Sequence, residues 1–216
     1  MLEYNQKSRF DKISLSFAPK GFVLDVGCGN GRFISNAPER IWGIDSSPQA
    51  ISECTAKKYN VIQAIIPQIP FPTSTFAMVN CSHIIEHLSP SELHKLLLEV
   101  NRVLVPGGIL SIQAPLLHNH FYDDLTHIRP YTPESIIHYL VKQSIASDQQ
   151  HTLSSISNNY TLQLLKYRYS KLMRFPISYP RLLNRLFNYL LKFNIHGFKK
   201  TGYLLILRKG DESSEV

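Results

Sequence analysis

The chain has 216 residues, 44% of them hydrophobic, with 23 Lys+Arg against 16 Asp+Glu for a formal net charge of +7. That is enough for one sizeable core, and no run of about 18 uncharged apolar residues is present to span a membrane. Cys28, Cys54 and Cys81 are too few and too scattered for a disulfide framework, no Cys-x-x-Cys pair suggests zinc, and Met1–Phe17 lacks the basic-then-apolar pattern of a secretion signal, so a cytoplasmic setting is expected.

Short apolar runs alternate with helix-like stretches through the first two thirds. Phe22–Val26 reads as a buried strand that ends in glycines, and Gly31–Ala37 as the opening of a helix. Ile41–Ile44 is a second strand, closed by Asp45. Ser47-Pro48 marks an N-cap with proline at the first helical position, for a helix to about Lys58. Val61–Ile66 and Met78–Cys81 are the third and fourth strands. Pro90 and Ser91 open a helix with Leu93, Leu96, Leu97, Val100 and Leu104 at helical spacing. Pro106-Gly107-Gly108 is a turn and Ile109–Gln113 a fifth strand.

The last third differs in composition. Ser144–Asn159 is polar and reads as a long loop. Thr161–Tyr169 and Tyr203–Arg208 read as strands, and Pro180–Asn194 carries an apolar helical stripe. Charge follows the same division: 12 basic against 13 acidic residues through Gln150, then 11 against 3. An anionic partner would meet that basic third, although a solvated basic face reads equally well.

This alternation predicts an α/β fold, a doubly wound, Rossmann-like and mostly parallel sheet with helices on both faces. Such sheets bind ligands beyond the carboxyl ends of their strands. Gly27, Gly29 and Gly31 stand there, and a glycine loop admits close approach of a ligand. A dinucleotide loop would prefer Gly-x-Gly-x-x-Gly, but Arg32 occupies the third glycine's place. The pattern is Gly-x-Gly-x-Gly, with Asp25 inside the preceding strand and Asp45 at the end of the next. A ligand without phosphate, carrying an ammonium and a ribose, matches two such acids. A tight strand-to-helix turn without a ligand is the lesser alternative.

Leu24-Asp25-Val26-Gly27-Cys28-Gly29-Asn30-Gly31 resembles the first signature of class I S-adenosylmethionine-dependent methyltransferases, and Ile44-Asp45 the second. Ile69-Pro70-Phe71-Pro72 with Phe76-Ala77-Met78-Val79, Cys81–Leu88, and Glu99–Gly108 resemble later signatures of the broad type 11 group, over roughly residues 20–140. The resemblance implies a seven-stranded sheet with an antiparallel last strand, here within Gly197–Lys209. It also implies S-adenosylmethionine held by Asp25, Gly27, Cys28, Gly29, Asn30, Asp45, Ser46, Ile65, Ile66, Cys81, Ser82 and His83. Asp25 would meet the ammonium and Asp45 the ribose hydroxyls. Gln63–Ile66 lacks the acid that relatives often place near adenine, so contact there would be apolar and through backbone.

His83, Glu86 and His87 share one face if helical. Read literally they form the H-x-x-E-H metalloprotease motif, which the cofactor context opposes. Relatives with E-x-x-E-H here bind a divalent ion, so His83, Glu86 and His87 are an alternative metal set. The plainer expectation is no metal, with Glu86 and His87 structural.

Asp123–Ser135 follows the fifth strand, and Thr132-Pro133 caps a helix. The run Asp124-Leu125-Thr126-His127-Ile128-Arg129-Pro130-Tyr131-Thr132 resembles that of glycan-pathway methyltransferases. For methylation at oxygen, His127 is the candidate general base, oriented by Asp124. Arg129 and Tyr131 are candidate acceptor contacts. Equally, these residues could pin a loop.

The expected organisation is one domain over 1–216. It comprises a cofactor core at about 20–143, a variable helical insertion at 144–200 acting as lid, dimer interface or membrane-surface element, and a closing strand at 201–209. The expected activity is methyl transfer to a small-molecule, glycan or lipid-linked acceptor. Metal-assisted RNA or quinone O-methylation and a non-catalytic cofactor-binding module are the alternatives. Nucleic acid is not favoured, since no RNA-binding module is recognisable.

Overall fold

The computed structural model describes residues 2–141, 159–169 and 200–211. In chain order these form α1 (Leu2–Phe17), β1 (Val23–Val26), β2 (Ile41–Asp45), α2 (Pro48–Ala56), β3 (Asn60–Gln63), β4 (Phe76–Ser82), α3 (Pro90–Val103), β5 (Leu104–Pro115), α4 (Pro133–Leu140), β6 (Tyr160–Tyr169) and β7 (Lys200–Lys209). They build one seven-stranded sheet in the order β3-β2-β1-β4-β5-β7-β6. The first five strands pair in parallel, and β7 runs antiparallel to both β5 and β6. The expected doubly wound sheet with an antiparallel closing strand is therefore the observed one. Strand order reverses between β1 and β4, which puts a ligand crevice at their carboxyl ends.

Side-chain alternation along the strands divides the core into two layers. Leu24, Val26, Val79, Cys81, Leu110 and Ile112 face α3 and α4 in one cluster. Val23, Met78, Ile109, Leu204 and Ile206 face α1 and α2 in the other. The central strands bury both faces, which explains their near-continuous apolar sequences.

The helices begin where the sequence supplies caps. Ser47 accepts from the Ala50 amide at 3.3 Å and Thr132 from the Ser135 amide at 3.3 Å. Helix α3 opens on a reciprocal capping box between Ser89 and Glu92, two orphan amides being satisfied at once. Its Leu93, Leu96, Leu97, Val100 and Val103 are buried at helical spacing. Arg102 near its end donates to the carbonyls of Phe71 at 2.8 Å and Ile69 at 3.0 Å. The Ile69–Pro72 stretch is thus tied to α3, which gives that motif a structural task.

Two expectations need correction, and one helix was not foreseen. Gly31–Ala37 is not an α-helix: turns lead to a single 3-10 turn at Ile34–Asn36, and Pro38 stops any extension. The third strand ends at Gln63 rather than Ile66, because a proline follows at position 67, which holds the preceding residue extended and removes an amide. The N-terminal α1, which had no expected counterpart, packs Phe10 into the core and buries Asp11 and Ser14. The expected Ser144–Asn159 loop lies almost entirely outside the described residues, and the Pro180–Asn194 helix lies wholly outside them. Among the described residues no helix is long and apolar enough to cross a membrane.

Candidate active site

The glycine loop leaves β1 at Val26 and turns through left-handed backbone. Gly27 has φ +68°, and a Cβ there would lie 2.0 Å from Ile84 Cδ1. Gly29 has φ +50°, and a Cβ there would meet no protein atom within 4 Å. The first glycine is required by packing. The second leaves a backbone surface open to a ligand.

Asp45 stands at the end of β2 beside that loop. Its Oδ2 accepts from the Gly29 amide and its Oδ1 from the Ser47 amide, each at 2.9 Å. The adjoining positions are less uniform. Ser46 is exposed, its carbonyl accepting from Gln63 Nε2 at 3.2 Å. Ile65 is 74% exposed, whereas Ile66 packs against the core. Cys28 and Cys81 are buried, and Asn30 offers its carbonyl to Lys57 Nζ at 2.7 Å.

Asp25 is 3% exposed and accepts from Asn80 Nδ2 at 2.8 Å. Burial is the main force raising its pKa, to about 7, against the lowering effect of that hydrogen bond. Behind it, burial raises the pKa of Asp11 on α1 even though Arg32 pairs with it. Gln113 on β5 donates to the other Asp11 oxygen at 3.2 Å. The Arg32–Asp11–Gln113 link ties loop, helix and sheet together. Only Arg32 had drawn notice in the sequence, as a departure from a glycine pattern.

A second region lies past β4 and β5, where an open cavity of about 890 Å³ is walled by His83, Glu86, His87, Pro115, His118, His120, Asp123, Asp124, Leu125, His127 and Arg168. His83 sits in left-handed backbone at φ +57°, with its amide on the Gln113 carbonyl at 2.8 Å. The following Ile85–His87 is one 3-10 turn, so the α-helical face expected for His83, Glu86 and His87 does not form. His83 Nδ1 instead meets Glu86 Oε1 at 3.1 Å. The Glu86 carbonyl accepts from the amides of Ile128 and Arg129 at 2.9 and 3.2 Å. That pins the loop carrying Asp124 and His127 over the turn.

Asp124 and His127 come together, with Oδ2 and Nε2 3.8 Å apart. Asp124 accepts from the Thr126 hydroxyl at 2.6 Å and amide at 2.9 Å. These bonds hold its pKa below the usual carboxylate value. His127 Nδ1 lies 2.6 Å from the Phe121 carbonyl. A carbonyl only accepts, so Nδ1 carries the proton and Nε2 of the neutral ring is bare.

Arg129 and Tyr131 are not among the cavity residues. The Arg129 guanidinium lies over the Tyr131 ring at 5.7 Å, and the buried Tyr131 hydroxyl donates to the Leu88 carbonyl at 2.9 Å. The cavity's arginine is Arg168, contributed by β6. Sequence reasoning missed it because it is 39 positions from Arg129 and only the sheet order brings it near.

Residues 24–112 match the family model for a methyltransferase domain. The matched segment runs from β1 into β5 and is the part of the chain that resembles class I S-adenosylmethionine-dependent methyltransferases. An uncharacterized methyltransferase of Synechocystis is 27% identical over 119 residues, covering 51% of this chain and 56% of its own. A probable methyltransferase of Aspergillus luteorubrus is 32% identical over 123 residues, covering 47% and 42%. The chain thus spans about half the length of these curated relatives. An S-adenosylmethionine-dependent methyltransferase from Archaeoglobus fulgidus superposes with TM-score 0.66 at 22% identity, covering 95% of this chain and 94% of its own. That likeness establishes the fold. The matched family is one of methyltransferases, and the Archaeoglobus protein is an S-adenosylmethionine-dependent one; in this chain the Gly29 backbone with the Asp45 carboxylate suits a ligand bearing a ribose and no phosphate.

Proposed function

We propose that this chain is an S-adenosylmethionine-dependent methyltransferase acting at an oxygen of a small-molecule, glycan or lipid-linked acceptor. The observation that carries this reading is the fixed Asp45 carboxylate beside the open Gly29 backbone. Two hydrogen bonds orient the carboxylate before any ligand arrives, and its remaining lone pairs suit vicinal ribose hydroxyls. Asp25, close to neutrality in the ligand-free protein, would ionise against the ligand's ammonium.

Bound there, S-adenosylmethionine would supply an electrophilic methyl group on a sulfonium. The chain's own share is to hold the acceptor in line and to take its proton. The bare Nε2 of His127 faces the cavity and is the proton acceptor. Asp124, 3.8 Å away, stabilises the imidazolium that forms. Carboxylates and imidazoles around an open, polar cavity suit a polyhydroxylated acceptor better than an apolar one.

The test is transfer of a radiolabelled methyl group from S-adenosylmethionine to a panel of sugars, glycolipids and phenols. Label on a hydroxyl with S-adenosylhomocysteine released supports the reading. Cofactor binding without transfer to any class of acceptor favours a binding module instead.

A further inference from the structure

Asp25 on β1 and Asn80 on β4 stand side by side, paired in register where the strand order reverses. Side chains alternate along a strand, so both point to the face that Val23 and Met78 fill with apolar groups. Asp25 is 3% exposed and Asn80 is wholly buried. A carboxamide in such a layer is costly unless both of its ends are satisfied.

One end is not. Asn80 Nδ2 donates to Asp25 Oδ1 at 2.8 Å, whereas Asn80 Oδ1 has no hydrogen-bond partner among the described residues. The orientation follows from the partner. A carboxylate only accepts, so the amide turns its nitrogen toward Asp25 and its oxygen away. An apolar side chain of similar shape would fill the same space without an orphaned oxygen. Core packing therefore does not explain an asparagine at this position, and the bond to Asp25 does.

Among the described residues that bond is the one hydrogen bond Asp25 accepts. It occupies Oδ1 and leaves Oδ2 for another donor. It also favours the ionised carboxyl, against burial and against the neighbouring carboxylates Asp11 and Asp45. An ammonium partner requires that ionised form and an oxygen held in place.

We propose that Asn80 is a positioning residue for cofactor binding, fixing Asp25 so that its free oxygen meets the α-amino group of S-adenosylmethionine. The inference rests on the proposed function, in which Asp25 faces that ammonium. It separates the tasks of the two acids. Asp45 is oriented by the backbone amides of Gly29 and Ser47, so the ribose contact does not depend on Asn80.

The test compares two ligands on the full chain by calorimetry. S-adenosylhomocysteine carries both the ribose and the ammonium. 5′-Methylthioadenosine keeps the ribose and lacks the amino-acid portion. Asn80→Leu should weaken S-adenosylhomocysteine about 10-fold or more and leave methylthioadenosine within about twofold. Asn80→Ala should show the same selectivity, and its methylthioadenosine binding reports that the fold is kept. In an Asp25→Asn background, Asn80→Leu should change neither affinity by more than about twofold, because Asn80 acts through Asp25. Equal losses for both ligands would assign Asn80 to the fold alone and overturn the proposal. Undiminished S-adenosylhomocysteine affinity in both variants overturns it too, as does a full loss that persists in the Asp25→Asn background. In these three cases the proposed function stands, whereas wild-type protein that binds neither ligand overturns that function and this inference with it.

Discussion

The Gly29 amide donates to Asp45 Oδ2 at 2.9 Å, tying the loop after β1 to the acid that ends β2. The Ser47 amide holds the other oxygen at the same distance. The carboxylate's orientation is thereby set by the backbone of both neighbouring segments, and ordering it need not be repeated when ligand binds.

Asp45→Ala removes this acceptor and, on the proposed ribose role, two charge-assisted hydrogen bonds to ligand. S-adenosylhomocysteine affinity should fall about 100-fold by calorimetry, since such bonds contribute roughly 1.5–3 kcal/mol each. Unchanged affinity would remove Asp45 from the ribose role.

The two loop glycines should separate stability from binding. Gly27→Ala drives a methyl group into Ile84 and should lower stability by about 2 kcal/mol or more. Gly29→Ala meets no protein atom and carries only backbone strain of about 1–2 kcal/mol. It should fold, yet bind S-adenosylhomocysteine at least about 10-fold more weakly. Thermal melts with and without ligand read both quantities.

Asp25 gives a pH signature. Its pKa is raised by burial from 3.8 to about 7. The neutral acid is preferred in the fold, so its contribution is fully present below the unfolded value and is lost as pH rises to about 7. Denaturation curves should show Asp25→Asn escaping this loss, with the difference between the two profiles growing by the order of 3 kcal/mol from pH 4 to 7. Affinity of the wild type for S-adenosylhomocysteine should rise with pH toward 7, by at most about tenfold per unit. In Asp25→Asn it should be flat.

His127→Ala and Asp124→Asn address proton handling. With an acceptor in hand, His127→Ala should lower kcat by about 10²- to 10⁴-fold and leave cofactor affinity in place. Asp124→Asn should have a smaller effect of the same kind. Intact turnover in His127→Ala would contradict the assignment.

Tyr131→Phe distinguishes an acceptor contact from an internal brace. The hydroxyl donates to the Leu88 carbonyl from a buried ring. The variant should lose about 1–2 kcal/mol of stability with KM unchanged.

The parallel sheet was legible because its strands are nearly unbroken apolar runs and the loop after β1 carries glycines that left-handed backbone demands, Gly27 by packing as well. Asp25 and Asp45 could be placed because each terminates or interrupts such a run. The pairing of Asp124 with His127 was legible because only three positions separate them. The partners of Glu86 were not. The motif's spacing suggested an α-helical face, whereas left-handed His83 and a 3-10 turn redirect the three side chains. His127, 40 positions on, then joins Glu86 and His87. Arg168 and Asp11 reach the site through strand order and helix packing, which no local pattern encodes. Arg129 and Tyr131 share a run with His127, yet the chain turns them toward each other and toward Leu88.

The central claim is that the loop after β1 and the acid of β2 bind S-adenosylmethionine. Calorimetric titration of the full chain with S-adenosylhomocysteine and, separately, with NAD tests it most directly. One equivalent of S-adenosylhomocysteine with no heat from NAD is the predicted result. Tight binding of NAD without binding of S-adenosylhomocysteine would contradict it.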